Sequence, residues 1–568
     1  MSVLYSCEET VEQLSGISLR GTMLTNMQYH DRRHVLPHVL SADGQDYLLI
    51  REIESGNIRG AGFSKLPVVL FAPYFLPKSE PAGRVHRRVA DAVEALAPAG
   101  PLTVDYATSA AVLNDLRAMR RVEVQRRAPA PVEVFRLTRA DVVGAFNHHR
   151  PDVVNAANEL TRDHPHYNRL AKWFEDRPCD SFALLDKMAA QARLGALYVS
   201  WITNFQELTG LPGTLAENSG YAALYMVGTD EVWVMAPGSH NLMGRVPVRT
   251  YGSMGEAVKD IAGNETVGYE SDTLFAATLL EFEDAGVSIS DAGWLLREFR
   301  EEKAYCDIPY FVLAAMASRY AIDGAVMFAD TAIRSGVEIT EKDVDRVYLS
   351  RISDFATQFR LPVSLRPYFV NNHSGSRTIY PSRPTGRILS PGINTLKVDA
   401  GIFVFDDGLF HACSDIARTV TTNRAAAEVF GVMEAVMLEE TIPNILPGMT
   451  GEDIHHMGVS QMGAKDDVFH EHQYMPNDFS WRTSYSRDIG HVIERQESNT
   501  FGFKPGERRP VHAGMVGCIE YHCSYDGHAM ACEDTFVVDE DGAIVISRGP
   551  EEHDSDGRVT RRRSRVKW

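Results

Sequence analysis

The chain has 568 residues, of which 44% are hydrophobic and 23% are charged, and its formal net charge is −19. A chain of this length and ordinary globular composition is expected to form two to four domains. The negative charge excludes a general binder of nucleic acid or of anionic membranes, because such proteins need a basic surface.

The N-terminal sequence and the cysteines predict a cytoplasmic protein. The first residues, "MSVLYSCEETVEQL", contain no basic segment followed by an apolar stretch, as a secretory signal would. No uninterrupted apolar run of about 18 residues occurs, so no membrane span is expected. The 7 cysteines show no tight spacing, which suits a reducing compartment.

An internal repeat occupies the first half of the chain. The segments "PLTVDYATSAAVLNDLRAMRRVEV" and "NETVGYESDTLFAATLLEFEDAGVSI" each predict a short strand, a helix and a second short strand. Similar strand-and-turn sequences begin at Gly21 and Gly195. We therefore predict two tandem α/β domains of one kind, over residues 1–165 and 166–294.

Long helical patterns begin at about Arg297. Within them, "SGVEITEKD" predicts that one helix ends at Gly336 and that Thr340 caps the next. Strand-like segments and turns then follow Pro367 and continue to about Ser547. We predict one domain over residues 295–550 and a basic, mobile tail over residues 551–568.

Two aspartates interrupt the apolar strand sequence "VDAGIFVFDDGLFHACSDIART". Aspartate is disfavoured in strands, and a buried carboxylate without a partner is costly. The segment "FDDGLF" predicts a three-residue hairpin turn with Gly408 at positive φ, which pairs Asp399 with Asp415. Carboxylates at that separation repel each other unless a cation lies between them, so the pattern predicts a divalent metal site.

Two further segments supply candidate ligands. Strand-like sequence contains Glu520 in "GMVGCIEYHC" and Glu533 in "ACEDTFVV", and "RDIGHVIERQESN" places His491 directly after a glycine. Together with the two aspartates, these residues form an oxygen-rich set with one imidazole, which suits two Mn, Co, Zn or Fe ions. Cys413 and Cys518 either add soft ligands or pack within their strands.

These motifs follow one another in the order of a known enzyme family. The region from about residue 295 to 548 resembles the pita-bread metallohydrolases, which include aminopeptidase P, prolidase, methionyl aminopeptidase and creatinase. The tandem repeat resembles the creatinase-type N-terminal domain, present twice as in three-domain aminopeptidases P. The matching motifs are "DAG" at Asp399, "SDIART" at Asp415, "GH" at His491, "GMVGCIE" at Glu520 and "ED" at Glu533.

The resemblance implies a fold class, a metal centre and a reaction. The fold would be α/β (α+β), with two creatinase-type domains followed by a pita-bread domain. The five matching residues would hold two divalent metal ions, with Mn expected first and Zn, Co or Fe as alternatives. A metal-bound hydroxide would attack an amide or peptide bond, as in an Xaa-Pro aminopeptidase. A homodimer is also implied.

The sequence departs from the family where peptidases carry additional histidines. By the family's spacing, these positions fall on Ser382, Arg487 and Ser498. The two serines are candidate substrate-binding residues. Arg487 is a candidate catalytic residue that could clamp a substrate carboxylate or phosphate.

Two histidines are candidate replacements for the missing acid and base. His522 stands two residues after Glu520, so strand alternation places both side chains on one face. His373, in "NNHSGSR", is a further candidate catalytic residue. A structural role is the alternative for either histidine.

The departures leave two enzymatic functions open. One is an aminopeptidase P-like hydrolase that removes the residue before a proline. The other is a creatinase-like or lyase-like enzyme that acts on a small non-peptide metabolite with altered proton-transfer residues. A non-enzymatic relative would be expected to lose the metal ligands, whereas all five are present. We expect a short peptide or a small molecule as substrate, and neither nucleic acid nor a membrane as partner.

Overall fold

The structure is a computed structural model, and the described residues form two compact units. One unit comprises Met1–His148 and Pro178–Lys303, and the other comprises His149–Arg177 and Ala304–Trp568, so the chain passes between them three times. The structure describes residues 2–17, 36–52, 64–71, 85–146, 150–175, 182–238, 246–303, 307–375, 383–389, 395–485, 487–496, 501–525, 528–547, 552–553 and 559–561.

The first unit begins with a seven-stranded sheet. Its order is β5-β4-β3-β2-β1-β6-β7, with β1 antiparallel to β2 and parallel to β6. The strands are β1 (Ser2–Tyr5), β2 (His38–Ala42), β3 (Gln45–Arg51), β4 (Val68–Phe71), β5 (Val85–His86), β6 (Leu102–Val104) and β7 (Val122–Val124).

A second seven-stranded sheet repeats the order of six of these strands, with one strand inserted and with no counterpart of β5. Its strands are β8 (Val132–Thr138), β9 (Ala196–Val199), β10 (Ala222–Met226), β11 (Glu231–Pro237), β12 (Arg249–Tyr251), β13 (Thr266–Tyr269) and β14 (Ser288–Asp291). The order is β12-β8-β11-β10-β9-β13-β14, with β9 antiparallel to β10 and parallel to β13. Strand β8 separates β11 from β12, whereas β3 and β4 pair directly. The structure confirms two tandem α/β repeats.

Reciprocal backbone hydrogen bonds join the two repeats. The N–H of Ala110 donates to the carbonyl of Leu274 at 2.8 Å, and the N–H of Ala276 donates to that of Thr108 at 2.7 Å. Ala110 and Ala276 each begin the helix between the last two strands of their repeat. One hydrophobic core runs through both sheets. The helices of this unit are Glu8–Ser15, Val89–Leu96, Ala110–Met119, Arg139–Phe146, Phe182–Gln191, Ile202–Thr209, Thr214–Ser219, Met254–Ala262, Ala276–Ala285 and Gly293–Lys303.

The first repeat begins earlier than the sequence predicts. The segment from Gly21 falls mostly outside the described residues, and the strand equivalent to β9 is β1, which begins at Ser2. Strand β8 belongs to the second sheet although it lies within residues 1–165, the predicted first domain. The predicted domain boundaries at residues 165, 294 and 550 stay predictions.

The second unit is built on a nine-stranded sheet. Its main path is β16-β19-β21-β24-β23-β22, while β17 and β20 pair with β19, and β25 pairs with β24. Strand pairs β15–β18 and β26–β27 are separate. The strands are β15 (Ile339–Thr340), β16 (Ser364–Val370), β17 (His373–Ser374), β18 (Ile388–Leu389), β19 (Leu396–Asp406), β20 (Leu409–Cys413), β21 (Ile416–Val420), β22 (Gly490–Ile493), β23 (Val516–Tyr525), β24 (His528–Asp539), β25 (Gly542–Val545), β26 (Glu552–His553) and β27 (Val559–Arg561).

Helices cover this sheet and complete a mixed α/β architecture, as predicted. The α-helices are Pro151–Thr161, Tyr167–Leu170, Ile308–Arg334, Glu341–Gln358, Arg424–Ala435, Gly451–Gly463, Asp466–Glu471 and Trp481–Ser484. Short 3₁₀ helices occupy Ala171–Phe174 and Ile442–Asn444, and a π-helical turn occupies Val436–Thr441.

The two long helices meet where the sequence predicts. The first ends at Arg334, and Gly336 follows with φ of 70°. Thr340 caps the second through a reciprocal pair of hydrogen bonds with Asp343, in which the Thr340 hydroxyl oxygen accepts from the Asp343 N–H at 3.3 Å. The Asp343 carboxylate in turn accepts from the Thr340 N–H at 2.8 Å. Both boundary predictions are confirmed.

The helix Ile308–Arg334 has the length and apolar composition to cross a membrane, alone among the helices of the described ranges. However, 78% of its most apolar 18-residue window is buried within the fold. It packs against β19 and the helix Glu341–Gln358. Its apolar composition is therefore accounted for by core packing.

The turn between β19 and β20 is tighter than predicted. It consists of two residues, Asp407 and Gly408, with φ of 47° and 84°, and Asp406 pairs with Leu409 across it. Positive φ at both positions is the geometry of a two-residue hairpin, for which Asp-Gly is a preferred sequence. The positive φ predicted for Gly408 is confirmed, and the three-residue turn is wrong.

The register of the two aspartates differs from the prediction as a result. A bulge between Val404 and Phe405 shifts the pairing by one further residue, and Asp399 pairs with Ala417 instead of Asp415. The tighter turn and the bulge together shift the register by two residues. Because side chains alternate with a period of two, Asp399 and Asp415 still face the same side of the sheet.

Candidate metal centre

Asp399 and Asp415 lie buried on one face of the nine-stranded sheet, with exposures of 5% and 7%. Asp399 lies in β19, and Asn371 donates its amide N–H to Oδ2 of that carboxylate at 3.3 Å. Asp415 precedes β21, and the Thr535 hydroxyl donates to its carbonyl at 2.9 Å. Asp399 and Asp415 are therefore held in place by neighbouring residues, one within β19 and the other directly before β21.

The pairing of β22, β23 and β24 brings three further donors to this face. His491 pairs with Cys518, and Glu520 pairs with Glu533. Gly490 allows this close approach, because its φ is 141° and a Cβ there would meet the carbonyl oxygen of Cys518 at 2.1 Å. The glycine before the histidine therefore sets the position of β22 against β23.

Two groups of potential metal-ligating atoms meet at Glu533. One group contains Asp399, Asp415 and Glu533, and the other contains His491, Cys518 and Glu533. Within each group, all ligand atoms lie within 4.8 Å of one another. A carboxylate shared by two adjoining groups is the arrangement expected of adjoining metal positions.

Burial and mutual repulsion shift the pKa values of these side chains. Burial, followed by the charges of Asp399 and Glu520, raises the pKa of Asp415 well above its usual range. Burial, followed by the charges of Asp415 and Glu520, does the same to the pKa of Glu533. Burial lowers the pKa of His491, which favours the neutral imidazole that binds metals.

Two buried oxygens in the centre lack a hydrogen-bond partner among the described residues. They are Oδ1 of Asp415 and Oε1 of Glu533. An unpartnered buried oxygen costs about 1–3 kcal/mol, and a divalent cation that binds both would remove this cost and the repulsion together. The residues present therefore fit a divalent metal ion.

Lys397 is a site residue that the sequence reasoning missed. Its buried ammonium donates to Oδ2 of Asp399 at 2.7 Å. Burial lowers the pKa of Lys397, but the charges of Asp399 and Glu520 outweigh it and raise the pKa above its usual value. The available signal was "TLKVDAG", which places a lysine in an apolar strand two residues before Asp399.

Each of the two candidate histidines neighbours a residue already described in the centre. Nε2 of the half-buried His522 is 2.8 Å from Oε1 of Glu520. His373 is buried and pairs with Lys397 across β17 and β19. Their predicted catalytic roles stay predictions.

The other predicted residues take different positions. The carbonyl of Arg487 accepts a hydrogen bond from Nε2 of His455 at 2.8 Å. Cys413 donates its thiol to the carbonyl of Glu494 at 3.3 Å, whereas Cys518 joins the second donor group. Ser382 and Ser498 lie outside the described residues.

Comparisons with known proteins relate this geometry to a family. The family model "Metallopeptidase family M24" matches residues 314–540. No curated protein sequence matches the chain. The match confirms the predicted resemblance and the expectation of a metallohydrolase.

Solved structures of related fold include one that spans nearly the whole chain. It is X-prolyl aminopeptidase from Caenorhabditis elegans, described as a cytosolic enzyme with a di-nuclear active site, with 12% identity and a TM-score of 0.57 over 94% of this chain and 83% of that one. Xaa-Pro dipeptidase from Bacillus anthracis has 16% identity and a TM-score of 0.49 over 66% of this chain and 98% of its own. Prolidase from Pyrococcus furiosus has 16% identity and a TM-score of 0.46 over 64% and 99%. At these identities the likeness concerns the fold alone.

Proposed function

Because residues 314–540 match the model of the M24 metallopeptidase family, we propose that the chain is a divalent-metal-dependent hydrolase that cleaves an amide bond in an Xaa-Pro peptide. The observation that carries the proposal is that two buried donor groups, one with Asp415 and one with His491, share Glu533. One oxygen of Asp415 and one of Glu533 also have no hydrogen-bond partner among the described residues. Such oxygens are stabilised by a cation, and a cation beside a neutral imidazole suits hydrolysis.

Some side chains of the centre would bind the metal, and another would transfer protons. When bound, the metal supplies Lewis acidity and an activated water. The residues that would hold it are Asp399, Asp415, His491, Glu520 and Glu533. Nε2 of His522 lies within hydrogen-bond distance of the Glu520 carboxylate, so this imidazole can hold a proton and transfer it to a leaving amine.

Peptide cleavage by the full chain tests the proposal. Protein of measured metal content is supplemented with Mn and incubated with a short Xaa-Pro peptide, and release of the first residue is followed by mass spectrometry. We expect release by the wild type and none by Asp415→Asn prepared in parallel. Equal release by both proteins would indicate a contaminating peptidase. No release by metal-loaded wild type would contradict the peptidase assignment.

A small non-peptide substrate is the second candidate. The positions that carry proton-handling histidines in the resembling peptidases hold Ser382, Arg487 and Ser498 in this sequence. A guanidinium at one of them suits a substrate with a carboxylate or phosphate group. Metal-loaded protein that does not cleave the peptide would therefore next be tested for hydrolysis or elimination of small anionic amides.

The expected location, oligomeric state and partners of the chain are also part of the proposal. We propose a cytoplasmic homodimer that binds no nucleic acid and no membrane. The net charge of −19 supports the absence of both anionic partners. Sedimentation of the purified chain would give its mass, and a single-chain mass would contradict the dimer.

A further inference from the structure

The buried lysine of β19, Lys397, contacts the donor group of Asp399 and thereby distinguishes it from the donor group of His491. The side chain of Lys397 is 3% exposed and that of Asp399 is 7% exposed, and they form an ion pair at 2.7 Å. Asn371 donates to the same carboxylate oxygen of Asp399 at 3.3 Å. That oxygen therefore already has two donors.

The strands around Lys397 hold its ammonium on the carboxylate face. In the sheet it pairs with His373 on one side and with Thr419 on the other, and all three side chains are buried. Moving an ammonium out of water costs several kcal/mol unless a counter-charge lies beside it. The neighbouring Asp399 carboxylate provides that counter-charge, so the ammonium acts as a fixed cation of the site.

A metal ion at the Asp399 group would have to share its ligand with this ammonium. A divalent ion on the same carboxylate would be repelled by the ammonium, and a buried site screens that repulsion much less than water does. In the second donor group, the polar contacts of His491 and Cys518 are with each other, with carboxylates of the centre and with backbone carbonyls, and none is with a lysine or arginine of the described residues. The two halves of the centre therefore differ in their capacity for a metal ion.

The ligand atoms near His491 have the spacing of a coordination sphere. Nε2 of His491 is 3.3 Å from Sγ of Cys518 and 3.7 Å from Oδ2 of Asp415. Ligands at about 2.0–2.3 Å from one tetrahedral ion are separated by about 3.3–3.8 Å. The two unpartnered oxygens, of Asp415 and Glu533, belong to the same neighbourhood.

We propose that the Lys397 ammonium takes the place of one of the two divalent ions, so that the chain holds a single ion at the second donor group, His491, Cys518 and Glu533, with Asp415 beside it. The inference rests on the proposed metal-dependent function and changes the expected number of ions from two to one. It concerns this chain's own lysine, whereas the di-nuclear description belongs to the Caenorhabditis elegans enzyme.

Metal counting on the full chain tests this inference. Wild type, Lys397→Met, Lys397→Arg and Lys342→Met are loaded with Mn, freed of loosely bound metal by gel filtration and analysed by mass spectrometry of the elements. We expect one ion per chain in the wild type, in the charge-retaining arginine variant and in the surface control Lys342→Met. We expect two ions per chain in Lys397→Met, because removing the ammonium frees the Asp399 position.

Electron paramagnetic resonance of the Mn-loaded proteins gives an independent readout. A single ion gives the six-line signal of isolated Mn(II), and two adjoining ions give an exchange-coupled signal, which we expect in Lys397→Met alone. Two ions in the wild type would overturn the inference and leave the hydrolase proposal standing. One ion in both the wild type and Lys397→Met would overturn it too. If the methionine variant does not fold, Lys397→Gln takes its place with the same expected outcome.

Discussion

The carboxylate of Asp415 combines burial, an oxygen without a partner among the described residues and a histidine nitrogen at 3.7 Å. In the absence of metal, it also faces the charges of Asp399 and Glu520. Burial and these like charges outweigh the charge of Lys397 and the hydrogen bond with Glu533 in their effect on the pKa of Asp415, so a cation that binds this carboxylate would stabilise it.

The variant Asp415→Asn is expected to change the melting temperature in opposite directions in the absence and in the presence of metal. We expect its metal-free form to melt at a higher temperature than metal-free wild type, because one like charge is gone. Excess Mn should raise the melting temperature of the wild type and leave that of the variant nearly unchanged. Thermal unfolding with a chelator and with Mn measures both effects. An equal Mn-induced shift in the two proteins would show that Asp415 is not a ligand.

His522 offers a separate test of proton transfer. We expect His522→Ala to lower kcat by about 10²–10⁴-fold, the usual contribution of a general acid or base. Metal content should stay at the wild-type level, since His522 contacts a ligand and is not a member of either donor group. The measurement is kcat against pH together with metal analysis. An unchanged kcat and pH profile would assign the histidine a structural role.

At the scale of elements, the approach of β22 to β23 depends on Gly490. Any Cβ at this residue would contact the backbone of Cys518, and backbone cannot move aside as a flexible side chain can. We expect Gly490→Ala to displace His491, to weaken Mn binding by at least about tenfold and to destabilise the fold by about 1–3 kcal/mol. Calorimetric titration with Mn and urea unfolding measure the two effects.

Gly502 provides the matched control for this substitution. It bridges to His491 from the other side, but a Cβ there would meet only the Lys504 side chain, at 3.5 Å. We expect Gly502→Ala to bind Mn as the wild type does. Equal losses in the two variants would indicate that any added methyl group near His491 disturbs the site, and that Gly490 has no special role.

Local sequence signals predicted elements well and their registry less well. The cap at Thr340 and the positive φ of Gly408 follow from the chemistry of single residues, so the sequence suffices for them. The pairing of Asp399 with Ala417 depends on a bulge, which no local pattern specifies. The partner of Lys397 was missed because a lysine in a strand is usually solvated, and its burial becomes visible only when neighbouring strands are in place.

At the scale of the whole molecule, residues 150–175 form contacts with the C-terminal sheet, although that sheet lies much later in the sequence. Arg169 forms a bidentate ion pair with Asp539 at 2.8 and 2.6 Å. His164 hydrogen-bonds to the carbonyl of Val545 at 2.8 Å. Arg150 forms an ion pair with Asp406, next to the hairpin turn. These contacts fasten an early segment to the C-terminal sheet.

The Arg169 ion pair gives a stability prediction with a defined pH dependence. Burial raises the pKa of Asp539, but hydrogen bonding to Arg169 outweighs it and the net pKa is lowered. A lowered pKa in the folded state means that the pair stabilises the fold above about pH 4 and loses its effect as the pH falls further. We expect Arg169→Ala to cost about 1 kcal/mol at pH 7 and less at pH 3. Urea unfolding at both pH values measures the difference.

Arg334→Ala is the control for this prediction. Arg334 pairs with Asp330 within one helix at 2.7 Å, and both side chains are well exposed, at 57% and 39%. We expect a loss below about 0.5 kcal/mol at either pH. If both variants lose the same free energy, the pairing of the early segment with β24 adds nothing beyond an ordinary surface ion pair.

Residues 149–177 belong to the second unit, so during translation they must wait for the rest of that unit to be synthesised. His164 is translated 381 residues before Val545, its hydrogen-bond partner. At roughly 5–20 residues per second, that interval lasts about 20–75 s. During the first part of this time the apolar side chains of Val153 and Ala157, which are buried in the finished protein, lack the helix Ile308–Arg334, against which their own helix packs. A nascent-chain chaperone is therefore expected to engage this segment before the second unit can close.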